Sequence, residues 1–198
     1  MFTGIIETVG LIKNIIHDKT NIHFEIQTDL TQELKIDQSV AHDGVCLTVI
    51  KLTDTTHTVT AIHETLQVTS LKNWQLGKKL NIERCMSANG RFDGHIVQGH
   101  VDTTATCISI KDEDGSWLIT FEFKDETSQK YVVKKGSICI NGTSLTVVNC
   151  DSRTLSVALI PYTYEHTSFQ DIVVGDTVNI EFDIIGKYVE KMLQSRKQ

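Results

Sequence analysis

Short runs in which apolar and polar residues alternate dominate the chain. Ile22-His23-Phe24-Glu25-Ile26, Leu80-Asn81-Ile82-Glu83, Trp117-Leu118-Ile119-Thr120-Phe121-Glu122-Phe123 and Val178-Asn179-Ile180-Glu181-Phe182 all repeat with period two. Such alternation sends successive side chains of a strand into a core and into water. Turn-forming punctuation separates these runs at Asp43-Gly44, residues 112–116, Asn141-Gly142 and Val174-Gly175-Asp176. The spacing predicts about six short antiparallel strands in each half of the chain. Closure into barrels would remove the unpaired edges that so many strands otherwise expose. Only the end of the chain departs from period two. Ile185, Val189, Met192 and Leu193 share one helical face, so a helix is expected there. A short amphipathic helix is not stable alone and needs something to pack on, either its own barrel or a neighbouring subunit.

The alternation is duplicated. Residues 39–83 return without gaps as residues 137–181, at the shift that carries Gly44 onto Gly142. Leu47/Leu145, Thr48/Thr146, Val49/Val147, Thr65/Thr163, Thr69/Thr167, Ser70/Ser168, Asn81/Asn179 and Glu83/Glu181 are identical pairs at that shift. A repeat of this kind implies two like units. The fold class expected is all-β: two similar six-stranded antiparallel Greek-key barrels followed by a C-terminal α-helix. The boundaries are set at residues 1–88, 89–184 and 185–198, with the linker at residues 86–94, where small and flexible residues interrupt the strand pattern.

Composition narrows the function classes. A length of 198 residues suits two compact domains, and a net charge of −6 with no long Lys/Arg cluster lacks the electrostatic footprint of a nucleic-acid binder. The five cysteines show no C-x-x-C spacing, which fits reduced thiols and a cytoplasmic location rather than a disulfide or zinc framework. No apolar run approaches the roughly 20 residues that span a bilayer, and the first residues lack a signal-peptide pattern. Phosphate-loop, dinucleotide, nucleophile-elbow and EF-hand motifs are all missing.

Chemistry is sought where the copies differ. Cys46 and Ser144 occupy the same position, each two residues after the turn glycine and two before a threonine. Read from the residues alone, this is either a hairpin that simply repeats or a polar corner presented to a flat ligand, Cys46 and Thr48 (or Ser144 and Thr146) sharing one face of a strand. Residues 94–104 open the second copy as Phe2-Thr3-Gly4-Ile5-Ile6 opens the first, with His100 standing where the first copy has Ile5. His95 and His100 do not have the spacing of a helical metal pair, and no metal site is expected. An imidazole after a glycine is placed either for structure or for moving a proton.

Taken together, Met1-Phe2-Thr3-Gly4-Ile5-Ile6-Glu7, Ser39-Val40-Ala41, Gly44-Val45-Cys46-Leu47-Thr48-Val49, Asn89-Gly90-Arg91-Phe92, Gly94-His95, Gly99-His100-Val101-Asp102 and Gly142-Thr143-Ser144-Leu145-Thr146-Val147 closely resemble the riboflavin synthase family, alpha-chain type. The resemblance covers essentially the whole chain. It implies a cofactor-free dismutation of two 6,7-dimethyl-8-ribityllumazine molecules by four-carbon transfer, giving riboflavin and 5-amino-6-ribitylaminouracil. It further implies a homotrimer joined by the helix that starts at Ile185-Gly186-Lys187-Tyr188, with the first barrel of one subunit facing the second barrel of another. Whether a lumazine synthase capsid encloses the trimer is left open.

Position by position, the resemblance assigns proton transfer to His100 and a polarising or nucleophilic role to Cys46 in an acceptor barrel, assisted by Ser39 and Thr48. Ser144 and Thr146 would hold the donor ring, with Asp183 near the interface. Contacts to the ring and its ribityl chain fall to Phe2, Thr3, Gly4, Ile5 and Ile6, to Leu47 and Leu145, to Thr60, Ala61, Ile62, His63, Glu64 and Thr65, to Gly99 and Val101, to Lys135 and Asn141, and to Ile160, Pro161, Tyr162, Thr163, Tyr164 and Glu165. One departure is Asn141, where the family commonly has Asp; an amide keeps the hydrogen bonding but cannot act as a base. The alternatives are a non-catalytic lumazine- or flavin-binding protein of the same fold, as in optical antennae, and a purely structural assembly module.

Overall fold

The computed structural model describes residues 1–195. Residues 196–198 lie outside the described residues. Twelve strands form two closed barrels. The first contains β1 (Thr8–Asp18), β2 (Asn21–Gln27), β3 (Ser39–His42), β4 (Val45–Leu52), β5 (Thr56–Ala61) and β6 (Lys79–Arg84), and closes in the order β1-β2-β5-β4-β3-β6. The second contains β7 (Thr103–Asp112), β8 (Trp117–Phe123), β9 (Ser137–Ile140), β10 (Thr143–Cys150), β11 (Thr154–Leu159) and β12 (Thr177–Phe182), in the same cyclic order. Every ladder is antiparallel, and the long step from β2 to β3 gives the Greek-key path. Short helices α1 (His63–Val68) and α2 (Pro161–Glu165) follow β5 and β11. Helix α3 (Ile184–Ser195) ends the described chain.

The period-two pattern is realised as expected. Phe24, Ile26, Val49, Val59 and Ile82 fill one barrel, and Phe121, Phe123, Val147, Val157 and Ile180 fill the other. Burial of these side chains is the dominant stabilising contribution, about 1.5 to 3 kcal/mol for each large one. Bulges recur at equivalent places, at Val49/Lys51 and Val147/Asn149, and re-aim the strands alike in each copy.

The barrels meet back to back across a pseudo-twofold axis. At its centre the two hairpin turns touch. Asp43-Gly44 and Asn141-Gly142 all have positive φ, the geometry of a type I′ turn. A Cβ on Gly44 would lie 2.6 Å from the Gly142 nitrogen, and one on Gly142 would lie 2.8 Å from the Gly44 nitrogen. Around this contact the amides cross over. Asn81 Nδ2 donates to the Asn141 carbonyl at 2.8 Å and Asn179 Nδ2 to the Asp43 carbonyl at 2.9 Å. Their Oδ1 atoms accept the Ser168 N–H at 2.6 Å and the Ser70 N–H at 2.7 Å, again from the opposite barrel. A smaller apolar cluster of Phe2, Val97, Ala41 and Cys139 packs between the barrels.

Within this symmetric seam Asp43 and Asn141 perform one task with different charge. Asp43 Oδ1 accepts the Asn81 N–H, and Asn141 Oδ1 the Asn179 N–H, both at 2.8 Å. Burial pushes the Asp43 carboxyl up from its ordinary 3.8 to about 6, against the opposing pull of Lys78, the Asn81 N–H and the nearby Ser168 side chain. Its Oδ2 makes no complete hydrogen bond within the described residues. A second asymmetry lies inside the first barrel, where His42 Nε2 and His57 Nε2 are 2.7 Å apart and both rings are buried. The His42 Nδ1 lies 3.1 Å from the Val40 carbonyl. If it donates there, the His57 Nε2–H supplies the shared proton and both rings are neutral. The second barrel has Ile140 and Leu155 at these places.

Two outcomes are expected. Asp43→Asn should stabilise the protein at pH 7 by roughly 3 kcal/mol, because the raised carboxyl costs folding free energy above its unfolded pKa; urea unfolding should show the gain vanish near pH 4. The histidine pair acts in the opposite direction. Burial lowers His42 well below its usual value and takes His57 down to about 4, so between about pH 6.5 and 4 the unfolded chain binds protons that the folded one refuses. The pair therefore costs stability as pH falls through that window, by roughly 1.4 kcal/mol per pH unit per ring. The double substitution His42→Ile/His57→Leu should flatten this acid limb, and an unchanged limb would show that the pair is not its source.

Candidate functional site

The segments that lead into the two barrels pair with each other. Phe2 N–H donates to the Val97 carbonyl at 2.7 Å, and Val97 N–H to the Phe2 carbonyl at 3.1 Å. From this bridge each segment runs over the opposite barrel. The Gly4 carbonyl accepts the Ser144 N–H at 2.8 Å, and the Gly99 carbonyl accepts the Cys46 N–H at 2.9 Å. Both glycines have positive φ, and a Cβ on either would stand 2.6 Å from the facing Cβ of Ser144 or Cys46. Glycine is required twice over here, by conformation and by close approach.

Two buried carboxylates hold the crossed segments. Glu83, on β6, accepts the Thr3 N–H at 2.6 Å, the Thr3 hydroxyl at 2.8 Å and the Gly4 N–H at 3.0 Å. Glu181, on β12, accepts the N–H groups of Gln98 at 2.6 Å and of Gly99 and His100, each at 2.9 Å. Burial pushes both carboxyls up, and these hydrogen bonds pull them back down. A second pair of acids repeats the device: Glu7 accepts the Arg84 N–H at 2.6 Å and Asp102 the Phe182 N–H at 2.9 Å. Lys187 of α3 grips Asp102 at 2.8 Å.

The crossing creates two half-sites. In the first, Cys46 lies opposite Ala41 and Thr48 opposite Ser39 in the β3–β4 ladder, with Gly99 above. Burial pushes the Cys46 thiol up, partly offset by a hydrogen bond from Ser39. The His100 ring is exposed while its backbone is fixed by Glu181. In the second half-site, Gly4, Ile5, Ile6, Ser144, Tyr162, Thr163 and Glu165 line one cavity of about 480 Å³. That volume lies within the range of small-molecule sites. Thr146 is exposed on the same face of β10.

Other expected residues are placed differently. Leu47, Leu145 and Ala61 point into the barrel cores, so only their backbone faces outward. Asn141 sits in the inter-barrel seam, lining another cavity. Phe2 is buried in the bridge, and Thr3 is occupied with Glu83. Tyr164 stacks on Trp117, ring centroids 4.0 Å apart. Thr60 bonds His23 Nδ1 at 2.8 Å. Ile62 and Ile160 precede α1 and α2, whose first turns carry His63, Glu64 and Thr65, and Pro161. Val101 packs against the first core. Lys135 is a positive-φ turn residue before β9. Asp183 caps α3, its Oδ1 accepting the Ile185 N–H at 3.0 Å. Sequence reasoning missed Glu83 and Glu181, although identical acids at equivalent positions in alternating strands are a signal. It also left out His95, whose Nδ1 is 2.6 Å from Ser144 Oγ. Among the described residues no cluster of three or more His, Cys, Asp or Glu is arranged to hold a metal ion.

A family model described as the lumazine binding domain matches this chain twice, over residues 3–85 and 98–183. The riboflavin synthase of Bacillus subtilis (strain 168) is 39% identical over 200 residues, spanning 100% of this chain and 92% of that protein. The riboflavin synthase of Saccharomyces cerevisiae is 36% identical over 205 residues, spanning 98% of this chain and 86% of the relative. Among solved structures, LumP complexed with 6,7-dimethyl-8-(1'-D-ribityl) lumazine superposes with a TM-score of 0.83 at 19% identity, covering 91% of this chain and 98% of that one. LumP complexed with riboflavin gives a TM-score of 0.84 at 20% identity, with coverage of 92% and 99%. At such identities the likeness shows the fold.

The carboxylate clamps make a local prediction. Glu181→Gln replaces an acceptor by an amide NH2 that cannot receive all three N–H groups, so amide hydrogen exchange at residues 98–100 should accelerate by about tenfold or more. Protection of the barrel strands should stay as it is. Unchanged exchange at residues 98–100 would mean that something other than the carboxylate holds the segment.

Proposed function

The chain belongs to the riboflavin synthase family, and we propose that its two half-sites bind two molecules of 6,7-dimethyl-8-ribityllumazine in different roles. The activity is that of a riboflavin synthase, the dismutation of two lumazines to riboflavin and 5-amino-6-ribitylaminouracil. The observation that supports the division of roles is the geometry of Gly4–Ser144 and Gly99–Cys46: the same backbone bonds build both half-sites, while the reactive side chains differ.

The chemistry requires a carbanion and an electrophile. Loss of a proton from the C7 methyl of one lumazine leaves its electron pair delocalised in the pteridine, and C7 of the other must be made electrophilic. In this reading the Cys46 half-site holds the acceptor. Its desolvated thiol is protonated at neutral pH, which favours a polarising donor over a thiolate nucleophile. Ser39 and Thr48 flank it. His100 carries an exposed imidazole on a backbone held by Glu181, suited to proton transfer. The Ser144 half-site holds the donor between Gly4 to Ile6 and α2, with Thr146 beside it.

The two lumazines meet at a subunit interface in a homotrimer. Ile185, Val189, Met192 and Leu193 of α3 are all exposed in the single chain, an apolar stripe that a neighbouring subunit would cover. The five free cysteines fit a reducing, cytoplasmic setting.

The purified protein should convert 6,7-dimethyl-8-ribityllumazine to riboflavin with no cofactor added; tight binding with no flavin formed would point instead to a carrier or antenna. His100→Ala should lower kcat by about 100-fold with little change in lumazine affinity, and equal losses in both would remove its proton role. Light scattering should give a trimer for the parent chain and a smaller species for Val189→Asp; a trimer in both would place the interface elsewhere.

A further inference from the structure

The Ser144 half-site contains an imidazole that the reading above does not use. His95 Nδ1 lies 2.6 Å from Ser144 Oγ. Its backbone N–H donates to the Thr3 carbonyl at 3.1 Å. The preceding residue is necessarily glycine, because a Cβ at Gly94 would collide with the Thr3 carbonyl and stand 2.8 Å from Ser144 Cβ. The ring is thus brought onto the hydroxyl by two separate pieces of chain, the leading segment at Thr3 and strand β10 at Ser144. Its Nε2 is buried and has no hydrogen-bond partner among the described residues. At the Cys46 half-site the side-chain neighbour of the thiol is instead the hydroxyl of Ser39.

We propose that His95 is the proton acceptor behind Ser144, so that the two act as a relay for the lumazine bound in the second half-site. The inference rests on the riboflavin synthase reading. A serine hydroxyl is too weak a base to work alone near neutral pH and needs an adjacent base. In the relay the C7 methyl passes a proton to Ser144 Oγ while Oγ passes its own proton to His95 Nδ1. The C–H bonding pair stays on the pteridine as the anion's charge, and the ring becomes an imidazolium of equal and opposite charge. The proton returns by the same path when the product leaves. Burial lowers the His95 pKa and keeps the ring neutral before the step, and the Asp183 carboxylate favours the protonated form. With His100 beside the other half-site, each of the two identical substrates has its own imidazole.

The test compares His95→Asn, His95→Ala, Ser144→Ala and the double variant His95→Asn/Ser144→Ala, measuring kcat and lumazine affinity by fluorescence, with thermal melting as the check on folding. Asparagine can keep a hydrogen bond to Ser144 but cannot take a proton, so it separates positioning from proton transfer and guards against a misfolded alanine variant. The relay predicts that His95→Asn lowers kcat by about 100-fold or more with affinity within about threefold, and that the double variant is no slower than the slower single one, as for groups that act as a unit. Near-normal kcat in His95→Asn would overturn it, as would parallel losses of kcat and affinity or additive losses in the double variant. A parent protein that forms no riboflavin would refute the riboflavin synthase activity instead, which keeps the two failures apart.

Discussion

Everything in the two half-sites depends on a pair of buried carboxylates. Glu83 and Glu181 each collect three donors from a segment that makes no other regular structure. Taking such a group out of water is costly unless its oxygens are satisfied, and here the donors that satisfy it belong to the segments that overlie Cys46 and Ser144. The result is that neither half-site is built by one barrel. The Cys46 half-site is overlaid by a segment fastened to the second barrel, and the Ser144 half-site by one fastened to the first. The back-to-back turns at Gly44 and Gly142 set the distance over which those segments must reach.

The barrels and the terminal helix were legible in the sequence, since period-two alternation and a helical stripe are local signals that follow directly from burial. The duplication was legible too, but its meaning was only partly so. Ser70/Ser168, Asn81/Asn179, Gly44/Gly142 and Glu83/Glu181 read as turn and strand residues, whereas the structure shows them on the pseudo-twofold seam or holding the crossed segments. A residue beside a twofold axis meets the partner copy of its own surroundings, so both copies face the same constraint and keep the same side chain. No one-dimensional pattern reports which strand face turns toward the other barrel.

The candidate site was recovered unevenly for a similar reason. Cys46, Ser144 and His100 stood out because they differ between copies that otherwise agree. Leu47, Leu145 and Ala61 belong to the cores, and Asn141 belongs to the seam, where an amide does what Asp43 does in the other copy without the cost of a buried charge. His95 carries no sequence signal of a role, because its partner Ser144 is far away in sequence and is brought to it only by the crossing of the segments. Symmetry therefore carries the architecture, and in the proposed function asymmetry carries the chemistry.

That division implies that one chain offers two lumazine sites of similar build and different character. The most direct measurement is NMR titration of the protein with an isotope-labelled, non-reacting lumazine analogue, followed to saturation. Two distinct bound signals in equal amounts, together amounting to two analogues per chain, are predicted. A single bound signal at one analogue per chain would contradict the account, because only one of the crossed half-sites would then be a lumazine site.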